Sequence, residues 1–98
     1  MAKTIKINKK AILRISVIAE YFEHEYSYQT AVKFVDLVYK SIDKIAEHPS
    51  RGRKVPNSST LQFINIDKYR QLFYRVHGSR LFVVDIFDTR QHPDKRPK

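Results

Sequence analysis

The chain has 98 residues, 42% of them apolar, which suffices for one modest core and one domain, 1–98. Lys and Arg number 19 against 10 Asp and Glu, so the net charge is +9 and anionic partners are favoured, acidic proteins first. The absence of cysteine excludes disulfide frameworks, thiolate zinc sites and thiol nucleophiles, and the lack of any long apolar run excludes a signal peptide or membrane span, so a cytoplasmic protein is expected.

Thr4-Ile5-Lys6-Ile7 alternates polar and apolar residues, as a half-buried strand does, and Asn8 stands where a helix N-cap belongs. Ala11, Ile12, Ile15, Ile18, Ala19 and Phe22 then recur at three- and four-residue spacing, which predicts an amphipathic helix over residues 11 to about 24. Ser27 is the expected cap of a second helix, striped by Ala31, Phe34, Val35, Val38, Ile42, Ile45 and Ala46 and stopped by Pro49. Residues 49–59 carry Gly52, Pro56, Asn57 and a basic cluster, Arg51, Arg53 and Lys54, and read as a loop. Strands follow at residues 61–63, 72–76 and 81–87, the last almost continuously apolar, with His77-Gly78-Ser79-Arg80 as a tight turn. The tail has no apolar anchor and is expected to fray from about residue 93. Helices followed by strands predict an α+β fold: an N-terminal strand, a two-helix hairpin, then a mainly antiparallel sheet of about four strands, with its second face open for function.

The charge is uneven. Residues 1–48 hold 8 basic and 6 acidic side chains (+2), whereas residues 49–98 hold 11 and 4 (+7) and seven of the eight arginines. The partner surface is therefore expected in the second half, because the guanidinium fork grips phosphate or carboxylate in two bonds. No Gly-rich phosphate loop, metal-ligand cluster or nucleophile elbow is present, so neither cofactor nor metal is expected. Counting outward from the Gly78 turn sets Arg70 roughly opposite Thr89 or Arg90. Two guanidinium groups gathered at one sheet edge would repel each other unless an anionic partner came between them. Of the nearby aromatic residues, Phe63, Phe73, Tyr74 and Phe87 are expected in the core and Tyr69 outside it.

Taken in order, several segments resemble the RelE/ParE superfamily of toxins from type II toxin–antitoxin systems. They are the helix ending Ile42-Asp43-Lys44-Ile45-Ala46-Glu47-His48-Pro49, the Gly52-Arg53 loop, Tyr69-Arg70 followed by Leu72, Tyr74 and Val76, and the closing Asp85-Ile86-Phe87-Asp88-Thr89-Arg90. The resemblance implies a toxin of the plasmid-stabilization kind that arrests growth when free. It implies a cognate antitoxin as partner, with operator DNA reached only through that antitoxin. RelE-like members cut messenger RNA on the ribosome, whereas ParE-like members poison DNA gyrase and cut nothing themselves.

For cleavage, the family's matching arginines here are Arg70 and Arg90, cations able to hold a phosphorane, with His92 as proton carrier in a metal-independent endoribonuclease. The lysines that RelE-like enzymes carry on the strand equivalent to residues 61–66 are absent, and the C-terminal catalytic tyrosine has no match in Pro93-Asp94-Lys95-Arg96. The expectation is therefore a ParE-like gyrase poison, with target-binding residues Arg51, Arg53, Lys54, Tyr69, Arg75, Lys95 and Arg96. A RelE-like messenger RNA interferase is the alternative, and a basic nucleic-acid-binding module without toxicity a second one.

Overall fold

The structure, a computed structural model, describes residues 3–90. His92, Lys95, Arg96 and the expected fraying of the tail lie outside the described residues. Strand β1 (Thr4–Ile7) leads through Asn8 into α1 (Lys9–Glu25), and α2 (Tyr28–Glu47) returns antiparallel to it. A 3₁₀ turn (Pro49–Arg51) and strands β2 (Arg53–Lys54), β3 (Leu61–Asn65), β4 (Arg70–His77) and β5 (Arg80–Asp88) follow. All strands join one sheet in the order β1-β5-β4-β3-β2, antiparallel except for β1 beside β5. The architecture is α+β as expected, with five strands where about four were predicted. The added strand lies in the segment read as a loop. At two residues, β2 is too short to show an alternating pattern, and its pairing with Gln62 and Phe63 defines it instead.

Local chemistry sets the element ends. Ser27 Oγ accepts from the Thr30 N–H at 3.1 Å and caps α2, whereas Asn8 occupies the N-cap position of α1 without a side-chain bond. Gly78, at φ 60°, opens the two-residue β4–β5 turn. A positive φ at the first central position alone is the type II′ geometry that suits the strand twist.

The main core lies between hairpin and sheet, with Val38, Ile42 and Ile45 of α2 against Leu72, Tyr74, Leu81, Val83 and Ile86. Ala11 and Ile15 of α1 join it, but Ile12, expected in the same stripe, is 49% exposed because it lies on the far side of the helix. A smaller cluster, Val55, Leu61, Phe73 and Phe87, covers part of the helix-free face. That face is therefore only partly open.

The β4–β5 register corrects the sequence count. Arg70 pairs with Asp88, not with Thr89 or Arg90, because the turn closes on His77 and Arg80 and a bulge slips one residue of β5 past Phe73/Tyr74. A carboxylate thus faces the guanidinium, and the anticipated arginine repulsion does not arise.

Candidate functional site

The open end of the β4–β5 hairpin gathers the charged residues. Asp67 begins the arrangement: its Oδ1 accepts from the N–H groups of Tyr69 and Arg70, both at 2.9 Å, and so turns the chain from β3 into β4. Its Oδ2 also accepts from Arg70 Nη1 at 3.2 Å. At the other strand end, the Thr89 N–H and hydroxyl both donate to the Tyr69 carbonyl, at 2.6 and 3.0 Å, and close the ladder.

Arg70 points into the layer between sheet and helices and is 5% exposed. Its guanidinium lies 4.7 Å from the Phe22 ring centre and 5.6 Å from that of Phe34, with Asp67 and Asp88 as counter-ions at 3.2 and 3.7 Å. Flat aromatic faces suit a weakly hydrated planar cation, and the two carboxylates compensate its burial. Arg90 is half exposed and grips Asp88 with Nε at 3.0 Å and Nη2 at 2.6 Å, while its guanidinium stacks 4.5 Å from the Tyr69 ring. Hydrogen bonds from Arg90, more than its Coulomb attraction or that of Arg70, hold the Asp88 carboxyl below the usual carboxylate range against the opposing effect of burial. One carboxylate therefore serves both arginines.

Arg70, Asp88 and Arg90 face Arg14, Val17, Ile18 and Tyr21 of α1 across a cleft of about 330 Å³. Arg14 is itself engaged. With Lys10 it pairs with Asp85, at 3.5 and 3.4 Å, and Asp85 is 2% exposed.

Of the residues singled out from the sequence, the fold brings Tyr69, Arg70 and Arg90 together. Arg51, Arg53 and Lys54 sit at the β2 end of the molecule, on the opposite side of the sheet order from β1. Arg75 lies in mid-β4 and donates through Nε to Thr60 Oγ1 at 3.2 Å. Sequence reasoning passed over Asp67, Asp88, Arg14 and Tyr21. Asp67 carried a usable signal, since an Asp two and three residues before a strand start is the pattern of a side chain capping its own turn. Asp88 carried none until the register was known.

A second surface lies on the outer side of the helical hairpin. There Tyr28, Val32, Val35 and Tyr39 wall a groove of about 480 Å³ floored by Ala19 and Ala31 and rimmed by Glu23 and Asp36. Among the described residues no group of three metal-ligating side chains occurs, and no helix is long and apolar enough to cross a membrane.

The family described as ParE toxin of type II toxin–antitoxin system, parDE, matches residues 5–93. No curated protein sequence matches significantly. Among solved structures, the chain is similar to one from the chromosomal ParDE toxin–antitoxin system of Pseudomonas aeruginosa. The TM-score is 0.76 at 15% identity, over 89% of this chain and 96% of that one. It is also similar to the YoeB dimer of Staphylococcus aureus (TM-score 0.62, 14% identity, 87% and 94% covered) and to a YoeB/ParE toxin of Agrobacterium tumefaciens (0.61, 15%, 87% and 96%). At these identities the structural likeness speaks to the fold.

Proposed function

Because the chain belongs to the ParE toxin family of type II toxin–antitoxin systems, we propose that it arrests growth by poisoning DNA gyrase and cuts no nucleic acid itself. The observation that carries this reading is the occupied state of the two arginines. Messenger RNA cleavage needs cations poised for the charge that develops on the phosphorane. Here Arg70 is buried between two phenylalanine rings and two carboxylates, and Arg90 is clasped by Asp88. An incoming phosphate would meet the Asp88 carboxylate beside the cations meant to stabilise it, and that repulsion raises the barrier.

On this reading the toxin engages its target at several separate points, Arg51, Arg53 and Lys54 at the β2 end, Arg75 in mid-β4 and Tyr69 at the open end of the hairpin, with Lys95 and Arg96 of the tail. The cognate antitoxin has a suitable seat in the groove of the helical hairpin, where an amphipathic segment would lay apolar side chains between Tyr28 and Tyr39. Val32→Arg should then weaken antitoxin capture without altering toxicity, as read by co-purification of the pair and by growth of cells expressing the variant alone.

The deciding experiment incubates the purified protein with gyrase and supercoiled plasmid, and in parallel with a translation reaction whose messenger RNA ends are mapped by primer extension. Gyrase-linked plasmid breaks with intact message are expected. Ribosome-dependent cuts with undamaged plasmid would replace this reading with the endoribonuclease one, in which Arg70, Arg90 and His92 carry the chemistry and Arg51 and Arg53 hold the RNA. Removal of residues 91–98 should lower toxicity, whereas His92→Ala alone should not. Loss of all toxicity in His92→Ala would count against a poison that needs no proton carrier.

A further inference from the structure

Cross-strand partners share a face of the sheet, so the register sorts the side chains of all five strands. Ile7, Leu72, Tyr74, Leu81 and Val83 face the helices and contribute to the main core. The residues that alternate with them lie on the helix-free face. There Lys6 is the partner of Phe82 and Phe82 of Arg75, so one row crosses β1, β5 and β4 as cation, ring, cation. Arg80 lies in the neighbouring row beside His77, and Arg53 lies opposite Phe63 on the far strands.

The counter-charges are elsewhere. Every ion pair among the described residues is on the helices, beside α1 or at the open end of the hairpin. Asp85 pairs in register with Phe73 but sends its carboxylate to Lys10 and Arg14 of α1. The other positions of this face carry no acidic residue. Lys6, Arg53, Arg75 and Arg80 are therefore cations without a protein counter-ion among the described residues.

We infer that the helix-free face of the sheet holds the phosphate backbone of duplex DNA, namely the DNA that gyrase itself engages, an inference that rests on the gyrase reading above. Strands about 4.8 Å apart set Lys6 and Arg75 about 10 Å from each other, on a patch about 20 Å across. On this face the apolar Leu61, Phe73 and Phe87 are buried, and the charged groups it presents, Lys6, Arg53, Arg75 and Arg80, are all cations, with half-buried Phe82 between two of them. Such a layout fits a repeating array of phosphates, about one charge per 1.7 Å of duplex axis, and predicts contact without base readout.

The test measures binding to a labelled duplex of about 20 base pairs by fluorescence anisotropy across a salt series, for wild type and for Lys6→Gln/Arg75→Gln/Arg80→Gln. The triple variant should show a slope of log affinity against log salt shallower by about 2.7, and should trap cleaved plasmid on gyrase at least tenfold less well. A matched variant, Lys33→Gln/Lys40→Gln/Lys44→Gln on α2, removes the same charge and should change neither. Circular dichroism melts verify folding, and Arg80→Gln alone, beside the turn, should still flatten the slope by about 0.9.

Equal effects of the two triple variants would overturn the proposal, since net charge alone would then explain them. Tighter binding to single strands or RNA than to duplex would overturn the occupant. Wild-type plasmid trapping by a variant that has lost DNA binding would overturn the role while leaving the gyrase reading intact. Undiminished DNA binding on this face by a protein that traps no gyrase would remove the gyrase reading and keep the face as a DNA site.

Discussion

Tyr74 is fully buried, yet its hydroxyl accepts from the Gly52 N–H at 2.9 Å and reaches the Pro49 carbonyl at 2.8 Å and the Gln62 amide at 3.1 Å. One oxygen thus fixes the segment after α2 against β3 and β4. Tyr74→Phe should cost about 1–3 kcal/mol in urea unfolding, because the partners are left buried without it. Gly52→Ala should be at least as costly, since a Cβ there would run into the Tyr74 ring and hydroxyl. Burial raises the Tyr74 pKa above its ordinary value of 10.0, despite the Gly52 bond. The unfolded chain then ionises first, so stability is full below pH 10 and falls above it. Asp88 acts in the opposite direction: its lowered pKa makes its contribution full above the ordinary carboxylate range and lost on acidification below it. Asp88→Asn should flatten that acid limb and cost roughly 2 kcal/mol, since Arg70 keeps Asp67. At this scale the sequence disclosed Tyr69, Arg70 and Arg90 as a group through their order in the chain. It did not disclose that one carboxylate serves both arginines, because Asp88 is 18 residues from Arg70 and meets it only through strand pairing.

Both helices and strands β1, β3, β4 and β5 were legible because each is long enough to show a 3.6- or 2-residue period. Strand β2 was not, and neither was the parallel docking of β1, which no local pattern encodes. Two predictions belong to elements. Ser27→Ala removes the side-chain acceptor that caps α2 and should lower stability by about 1 kcal/mol in thermal or urea unfolding. Asp85→Ala releases Lys10 and Arg14, both of which water can reach, and deprives the buried Ile86 N–H of its side-chain acceptor, so the global cost should be about 1–3 kcal/mol. Amide exchange should quicken in α1 while α2, held by its apolar stripe, stays protected. Equal acceleration in both helices would show that Asp85 supports the whole layer and not α1 alone.

Across the whole molecule the helical hairpin balances its charges, six acidic side chains against six basic, whereas the cations on the other side of the sheet have no acidic residue beside them on that face. The +9 total was plain in the composition, but which cations share a face without acidic neighbours needed the register. The parallel contact between residues 4–7 and residues 80–83 also bears on synthesis. The first strand made has no partner until the last is made, so the sheet closes late, around a loop of more than 70 residues. While a polysome is still reading the message, the growing chain is an open hairpin of helices with an unsatisfied leading strand. Chains cut short before residue 80 should accordingly be harmless when expressed, as a growth assay on stop-codon variants would register. The closed sheet is thereby deferred to the final strand, which leaves each newborn chain an interval before the toxin fold exists.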